Sequence, residues 1–403
     1  MDKQVKPRVV LGVSGGIAAY KACELLRRLT ESGHDVRVVP TGSALHFVGA
    51  ATWSALSGNP VSTEVWSDVH EVAHVRIGQH ADLVVIAPAT ADLLARAAHG
   101  LANDLLTNTL LTARCPVVLA PAMHTEMWEH PATRENVATL RRRGAVVIEP
   151  AVGRLTGVDT GKGRLPDPGE IFEVCRRVLA RGTAAPDLAG RHVVISAGGT
   201  REPLDPVRYL GNRSSGKQGY ALARTAAARG ARVTLIEANT ALADPAGVDI
   251  VRVGTAVQLR EAVLKAAGDA DAVVMAAAVA DFRPAVYADG KIKKKDGEDP
   301  APVALVRNPD ILAEISAGRP RTDQVIVGFA AETDDVLANG REKLRRKGCD
   351  LLVVNEVGER KTFGAEESEA VVLAADGGET PVPYGPKEVL ADTVWDLVVP
   401  RLR

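Results

Sequence analysis

The chain alternates two kinds of segment, and it does so twice. "RVVLGVSGG" runs continuously apolar from Arg8 to Val13 and then breaks at two glycines. Helically spaced apolar residues follow (Ala18, Ala22, Leu25, Leu26, Leu29), and then a second apolar run, "GHDVRVVPT". A strand buried on both faces reads as an unbroken apolar run, and a helix between two such strands forces a right-handed parallel crossover. "ADLVVIAPAT", "CPVVLAPAM" and "GAVVIEP" extend the set. After the small, aperiodic stretch "ARGTAAPDLAGR" the rhythm restarts with "HVVISAGGT", "GYALARTAAARG" and "ARVTLIEA", and continues with "DAVVMAAAV", "QVIVGFAAET" and "DLLVVNEV". The expectation is an α/β protein of two Rossmann-like three-layer domains with mostly parallel sheets, at 1–181 and 191–403, joined by a linker at 182–190.

The totals exclude several classes. With 46% hydrophobic and 25% charged residues, the 403-residue chain is ordinary for a globular protein. A net charge of −1 supplies no general attraction for nucleic acid. The four cysteines (Cys23, Cys115, Cys175, Cys349) have neither disulfide-framework nor zinc spacing, which suits a reducing, cytoplasmic setting. No apolar run is long enough to read as a membrane span, and the first residues do not read as a signal peptide.

In open parallel sheets ligands bind beyond the carboxyl ends of the strands, and the unusual residues cluster there. Ser14, Gly15 and Gly16 form a turn that is either a phosphate cradle at a helix start or a plain tight turn. Thr41, Ser43 and Phe47 follow the second strand, Thr90, Asn103 and Asp104 the third, and "PAMHTEMW" (Pro121–Trp128) the fourth. In that last stretch His124 reads as a helix cap, a loop histidine or part of an active-site floor. His74 by itself reads as a surface histidine.

In the second half, Gly211 to Gly216-Lys217 imitates a phosphate-binding P-loop. Gln218 stands where that motif needs Ser or Thr for Mg²⁺, and no long buried strand leads into it, so a P-loop ATPase is rejected. Asn212 still sits near a helix start. Asp281 and Phe282 follow a strand. The lysines at 291, 293, 294 and 295 are either a solvated face or a flap over phosphates. "RNPDIL" (Arg307–Leu312) offers a helix start with Pro309 in its first turn, and Lys343 and Lys347 share one helix face, suited to a triphosphate or to water.

"GVSGGIAAYK", "PATADLLARAAHGLANDLL" and "PAMHTEMW" together resemble the flavin-dependent cysteine decarboxylases. "REPLDPVRYLGNRSSGKQG", "AAAVADFRP", "KIKKK", "NPDIL" and "GFAAET" resemble the phosphopantothenate–cysteine ligases. In this order, over about residues 7–400, they resemble the bacterial fusion of the two enzymes in coenzyme A synthesis.

For the first half the resemblance implies FMN, held at Ser14, Gly15, Gly16, Thr41, Ser43, Phe47, Thr90, Ala120 and Met123. It implies a substrate contacted by Asn103, Met123 and His124, and a catalytic His74. The cysteine thiol is oxidised, CO₂ leaves, and the electrons return from the flavin. For the second half it implies CTP and Mg²⁺. CTP would be contacted by Met275, Ala276, Ala277, Asp281, Lys291, Pro309, Asp310, Ile311, Leu312, Phe329, Lys343 and Lys347. Asp281 is the candidate metal ligand, Asn212 handles an acyl-cytidylate, and Lys291 stabilises phosphate charge. Relatives form trimers, dimers and dodecamers, so a homo-dodecamer is implied, with small molecules as the other partners.

Two positions depart from the family. His124 replaces an asparagine that binds the substrate carboxylate, and Gly157 replaces a proton-donating flap cysteine. His124 or a water is the candidate substitute donor. A nicotinamide oxidoreductase is the rival reading, disfavoured because G-x-G-x-x-G and its acidic ribose partner are missing. A regulatory flavin-binding subunit is the third, opposed by intact His74, Asn212 and Lys291.

Overall fold

The computed structural model describes residues 6–61, 73–155, 159–182, 186–293, 302–332, 335–356 and 367–402. The chain divides into two compact units, residues 1–185 with 245–247, and residues 186–244 with 248–403.

In the first unit the chain runs β1 (Arg8–Val13), α1 (Ala19–Glu31), β2 (Asp35–Pro40), α2 (Ala50–Ser57), α3 (Ala73–His80), β3 (Leu83–Ala89), α4 (Ala91–His99), α5 (Leu105–Thr112) and β4 (Val117–Pro121). It continues α6 (Thr125–Glu129), α7 (Pro131–Arg142), β5 (Val146–Val147), a hairpin of β6 (Ala151–Arg154) and β7 (Thr160–Arg164), and α8 (Pro168–Arg181). The sheet order is β2-β1-β3-β4-β5, parallel throughout. Val9, Leu11 and Val13 belong to one core and Val10 to another, so the sheet is covered on both faces. That is why its strands read as unbroken apolar runs.

The second unit runs β8 (His192–Gly198), β9 (Arg201–Pro203), β10 (Tyr209–Gly211), α9 (Lys217–Ala228), β11 (Arg232–Ala238), β12 (Val248–Val253), α10 (Ala256–Ala267), β13 (Ala272–Met275), β14 (Phe282–Pro284) and β15 (Leu305–Arg307). Then come α11 (Ile311–Ala317), β16 (Val325–Glu332), α12 (Val336–Lys347), β17 (Leu351–Glu356), β18 (Glu367–Ala374), β19 (Glu379–Pro386) and α13 (Lys387–Val398). The sheet order is β12-β11-β8-β13-β16-β17-β18-β19, with β18 and β19 antiparallel. Its two faces again bury alternate residues, Val193 and Ile195 on one side and Val194 on the other. Gly219 of α9 is required by this packing, because a Cβ there would lie 2.5 Å from the Ala197 Cβ of β8. The α/β architecture with mostly parallel sheets therefore stands in both units.

The stretch at 182–190 is not all linker. Leu188 is fully buried in the core of the second unit, its N–H donates to the Arg229 carbonyl at 3.0 Å, and Asp187 pairs with Arg229. One leucine among small residues carries no periodic signal, so sequence pattern reads it as spacer.

Candidate active sites at the carboxyl edges of the two sheets

In the first unit the strand order changes direction between β1 and β3, where an open parallel sheet forms a crevice beyond its carboxyl edge. Ser14 closes the bottom of that crevice. Its buried hydroxyl donates to the Pro88 carbonyl at 2.7 Å and accepts from the Thr90 N–H at 3.0 Å, tying the end of β1 to the end of β3. Its proton is therefore committed to the scaffold. Gly15 must be glycine, because a Cβ there would run into Ser43, whereas above Gly16 only the Thr90 Cγ2 comes near, at 3.9 Å. Ala18 gives α1 no side-chain cap; the Ala19 and Lys21 N–H groups donate to the Gly16 and Ala18 carbonyls at 2.9 and 3.0 Å, while the Gly16, Ile17 and Ala18 amides just ahead of them bond no described residue and are left for a ligand.

Other predicted contacts lie at the carboxyl ends of the neighbouring strands. Thr41 caps the short helical turn Gly42–His46 by accepting from the Ala44 N–H, and Thr90 caps α4 by accepting from the Leu93 N–H. Ser43 and Phe47 are exposed, and Ala120 is buried at the end of β4. The residues fit a phosphorylated flavin: bare amides at an uncapped helix start, small groups around them, and exposed Ile17, Tyr20 and Phe47 beside them.

His124 occupies the N-cap position of α6, its carbonyl accepting from the Met127 and Trp128 N–H groups at 3.1 and 3.0 Å, but its side chain makes no cap bond. The ring is exposed. The helix-cap reading thus holds for the backbone alone. Over this turn lies β7. The Met123 N–H donates to the Gly163 carbonyl at 2.9 Å, and Cβ atoms at Gly161 or Gly163 would run into Thr125 or the Met123 carbonyl. The hairpin is thus seated on the "PAMHT" turn through two glycines. Glu149 braces it, pairing with Lys162 of β7 at 2.7 Å and Arg141 of α7 at 2.7 Å. Burial alone would raise the Glu149 carboxyl, but Lys162 and Arg141 more than offset it and hold it below the usual carboxylate range. Arg164 comes close enough to Lys21 on α1 that it adds to burial in lowering the lysine's pKa.

The Asn103 side-chain oxygen accepts from Arg96, while Asp104 caps α5 in a reciprocal pair with Thr107. His74 falls in α3 with its side chain outside the described part, and Gly157, Lys294 and Lys295 lie outside the described residues. No thiol stands at the carboxyl edge in place of the flap cysteine. Cys175 is wholly buried on α8, Cys115 precedes β4 at its amino end, and Cys23 is half-buried along α1 with its thiol pushed up by burial.

In the second unit the direction changes between β8 and β13. Gly198 adopts φ +84° and Gly216, at the start of α9, φ +78°, conformations that favour glycine. Asn212 follows β10, and its side-chain N–H donates to the Val279 carbonyl at 2.9 Å. Ser196 and Thr200 shape the loop after β13 by accepting from the Ala277 and Ala280 N–H groups at 3.1 and 3.0 Å. Met275, Ala276 and Ala277 thus lie along the crevice, with Asp281 exposed beyond them.

The "RNPDIL" start differs from expectation. The cap is Asp310, which accepts from the Ala313 N–H at 3.1 Å, and Pro309 lies one residue outside the helix. An aspartate at that position captures a first-turn amide, which sets the boundary after the proline. Asp310 also pairs with Lys347 of α12. Burial opposes ionisation of Asp310, but Lys347 and the Ala313 N–H outweigh it and hold the carboxyl below its usual range. Ile311 is buried, Leu312, Phe329 and Lys343 are half-buried, and Lys291 is exposed. Among the described residues no group of three His, Cys, Asp or Glu could hold a metal ion, so Asp281 belongs to no such group.

Sequence reasoning missed the groups that brace these sites, Glu149 with Lys162 and Asp205 with the Ile292 peptide. Nothing short of the folded geometry announces them, because their partners are brought together by the fold rather than by a motif.

Residues 1–180 match the flavoprotein family, and residues 188–401 match the DNA/pantothenate metabolism flavoprotein C-terminal domain. A coenzyme A biosynthesis bifunctional protein CoaBC from Mycolicibacterium smegmatis is 62% identical over 99% of this chain and 98% of its own length. The protein of that name from Bacillus subtilis is 43% identical over 93% of this chain and 92% of its own. A crystal structure of a CoaBC C-terminal domain is 32% identical, with a TM-score of 0.46, and covers 54% of this chain and 98% of that one. The chain belongs to the family of bifunctional CoaBC proteins of coenzyme A biosynthesis, which join a flavoprotein decarboxylase domain to a ligase domain.

Proposed function

We propose that residues 191–403 condense 4′-phosphopantothenate with L-cysteine at the expense of CTP, and that residues 1–181 decarboxylate the product to 4′-phosphopantetheine with FMN. The observation that carries the decarboxylase half is the crevice between β1 and β3, with its uncapped helix start and its hairpin seated on the His124 turn.

FMN, when bound, supplies the redox chemistry that makes the cysteine carboxylate a leaving group. The chain's own residues do the rest. The amides after Gly15 and Gly16 hold the flavin phosphate, and Thr41, Ser43, Phe47, Thr90, Ala120 and Met123 line the flavin. Ser14 keeps the two strand ends together. Asn103, Met123 and the exposed His124 meet the substrate. A histidine N–H donates to a carboxylate as asparagine does, and it can also hand over a proton. His124 thus serves as carboxylate anchor, and with water as proton donor in place of the absent cysteine. His74 is the second catalytic histidine. The β6–β7 hairpin covers the turn and excludes water.

In the ligase half, CTP lies along Met275–Ala277 and the start of α11 at Pro309–Leu312, with Phe329 beside it. Lys343 and Lys347 face its phosphates. Mg²⁺ would come with the triphosphate and offset its charge, and Asp281 is the residue that would hold it. Asn212 holds the acyl-cytidylate, and Lys291 neutralises charge developing on the reacting phosphate. The enzyme acts in the cytoplasm as a homo-oligomer, a dodecamer combining trimeric and dimeric contacts; no described helix is long and apolar enough to cross a membrane.

The test is a coupled assay on the full chain with 4′-phosphopantothenate, cysteine, CTP and Mg²⁺, products identified by mass. Phosphopantetheine supports both halves. Consumption of CTP that stops at phosphopantothenoylcysteine overturns the decarboxylase assignment, and no CTP-dependent consumption overturns the ligase assignment.

A further inference from the structure

Asp205 sits in the loop between β9 and β10, with its side chain wholly shielded from solvent. A buried carboxylate must be satisfied, and this one is satisfied in two different ways. One oxygen, Oδ1, accepts from the Val207 and Arg208 N–H groups, both at 2.8 Å, and so closes a local turn. The other, Oδ2, accepts from Arg208 Nε at 3.0 Å and from the Ile292 N–H at 3.2 Å, a residue 87 positions away. Arg208 completes the grip by donating from Nη2 to the Ile292 carbonyl. The Ile292 peptide is therefore held from both sides, N–H by Asp205 and C=O by Arg208. A further backbone bond, Ala288 N–H to Leu204 carbonyl at 3.1 Å, fixes the same segment to the same loop.

Ile292 lies between Lys291 and Lys293. Both lysines are exposed, and neither makes a hydrogen bond or ion pair with any described residue. The loop that grips Ile292 leads directly into β10 and then Asn212, itself pinned to the Val279 carbonyl at 2.9 Å. One carboxylate thus connects the base of the lysine segment to the strand that delivers the asparagine.

We infer that Asp205 is a positioning residue of the ligase reaction: through Oδ2 it latches the lysine segment to the Asn212 loop and so sets where Lys291 meets the reacting phosphate. The inference rests on the reading of Lys291 given above. A turn-former needs only Oδ1; the second oxygen, spent on a peptide far along the chain, is what a latch requires and a turn does not. Burial would raise the Asp205 carboxyl, but the Val207, Arg208 and Ile292 N–H groups and the Arg208 guanidinium outweigh it and keep it ionised.

The chemistry of the two oxygens makes the role separable. Asp205→Asn keeps one oxygen for the local turn but places an amide NH₂ where Ile292 and Arg208 need an acceptor. In the full-length protein, hydrogen exchange at the Ile292 amide should speed up by about tenfold or more, as expected for a released local bond. Ligase kcat should fall by roughly tenfold to a hundredfold, as misplacing a charge-stabilising group does, while the KM for CTP changes by less than about threefold. Decarboxylation of supplied phosphopantothenoylcysteine should be unchanged, and the near-normal KM for CTP is the control that the ligase unit is folded.

The decisive comparison adds Lys291→Gln. If Asp205 acts through Lys291, Asp205→Asn costs little further kcat once that lysine is gone. Unchanged exchange at Ile292, or an equal kcat loss with and without Lys291, overturns the latch. A Lys291→Gln variant with normal kcat overturns the reading of Lys291 instead, and the exchange measurement then judges the latch alone. Should Asp205→Asn fail to fold, Ile292→Pro removes the same N–H from an exposed position and should reproduce the loss of kcat; normal kcat in that variant also overturns the latch.

Discussion

Replacing Gly163 with alanine should disable the decarboxylase by lifting its hairpin. The added Cβ would overlap the Met123 carbonyl oxygen and lie 3.3 Å from the Met123 and His124 carbonyl carbons. These are backbone atoms at the end of a buried strand, so no rotamer change relieves the clash. The hairpin must move instead, by roughly 1 Å, and the Met123 N–H to Gly163 carbonyl bond of 2.9 Å is lost. Overpacking of this kind costs about 1–3 kcal/mol. For a unit of this size that lowers its melting temperature by roughly 2–12 °C. The effect on chemistry should be larger, because a displacement of about 1 Å near reacting groups can cost about a hundredfold in rate. The assay is decarboxylation of supplied phosphopantothenoylcysteine at saturating flavin, beside CTP-dependent ligation by the same preparation. Ligation should be unaffected. Gly49→Ala, where nothing lies within 4 Å of the added carbon, should be silent in both. Wild-type decarboxylation by Gly163→Ala would refute the hairpin's role as the cover of the His124 turn.

Other expectations follow from the same geometry. Ser14→Ala removes the acceptor of the half-buried Thr90 N–H and one of the two donors to the Pro88 carbonyl, which keeps the Ser14 N–H at 3.2 Å; this should cost about 1–3 kcal/mol and weaken flavin retention, as measured by thermal melting and by flavin released on dilution. The Glu149 carboxyl is held below its usual range, so its brace on the hairpin is complete at neutral pH and is lost only as pH falls through that lowered value. Glu149→Gln should therefore reduce hairpin protection from proteolysis at pH 7, while the wild type keeps it until the pH falls below the usual carboxylate range. Lys347→Met frees Asp310 beside the proposed triphosphate, and should raise the KM for CTP by about tenfold with decarboxylation untouched, read by steady-state kinetics of the ligase.

The strands were the most legible part of the sequence, for a physical reason. A parallel strand covered on both faces has no polar alternation, and Arg8–Val13, Leu83–Ala89 and His192–Gly198 announce themselves as apolar runs ending in small residues. The antiparallel pair β18–β19 was not read, because Pro381, Pro383 and Pro386 look like loop; they are tolerated on a strand at the sheet's edge. Leu188 was read as linker because a single apolar residue has no period. Asp310, not Pro309, sets the start of α11, since only the aspartate side chain can satisfy a first-turn amide. The crevice residues were found where strands end. Glu149 and Asp205 were not, because a carboxylate bracing a distant segment looks in sequence like any other acid.

The central claim is that this chain completes decarboxylation without the family's flap cysteine, with His124 at the turn in its place. The direct measurement is the mass of the product formed from phosphopantothenoylcysteine by the wild type and by His124→Asn. The account predicts fully reduced phosphopantetheine from the wild type, and from the variant a decarboxylated product lacking two hydrogens. A wild type that releases only the oxidised product, or a His124→Asn variant that forms phosphopantetheine at the wild-type rate, would contradict it.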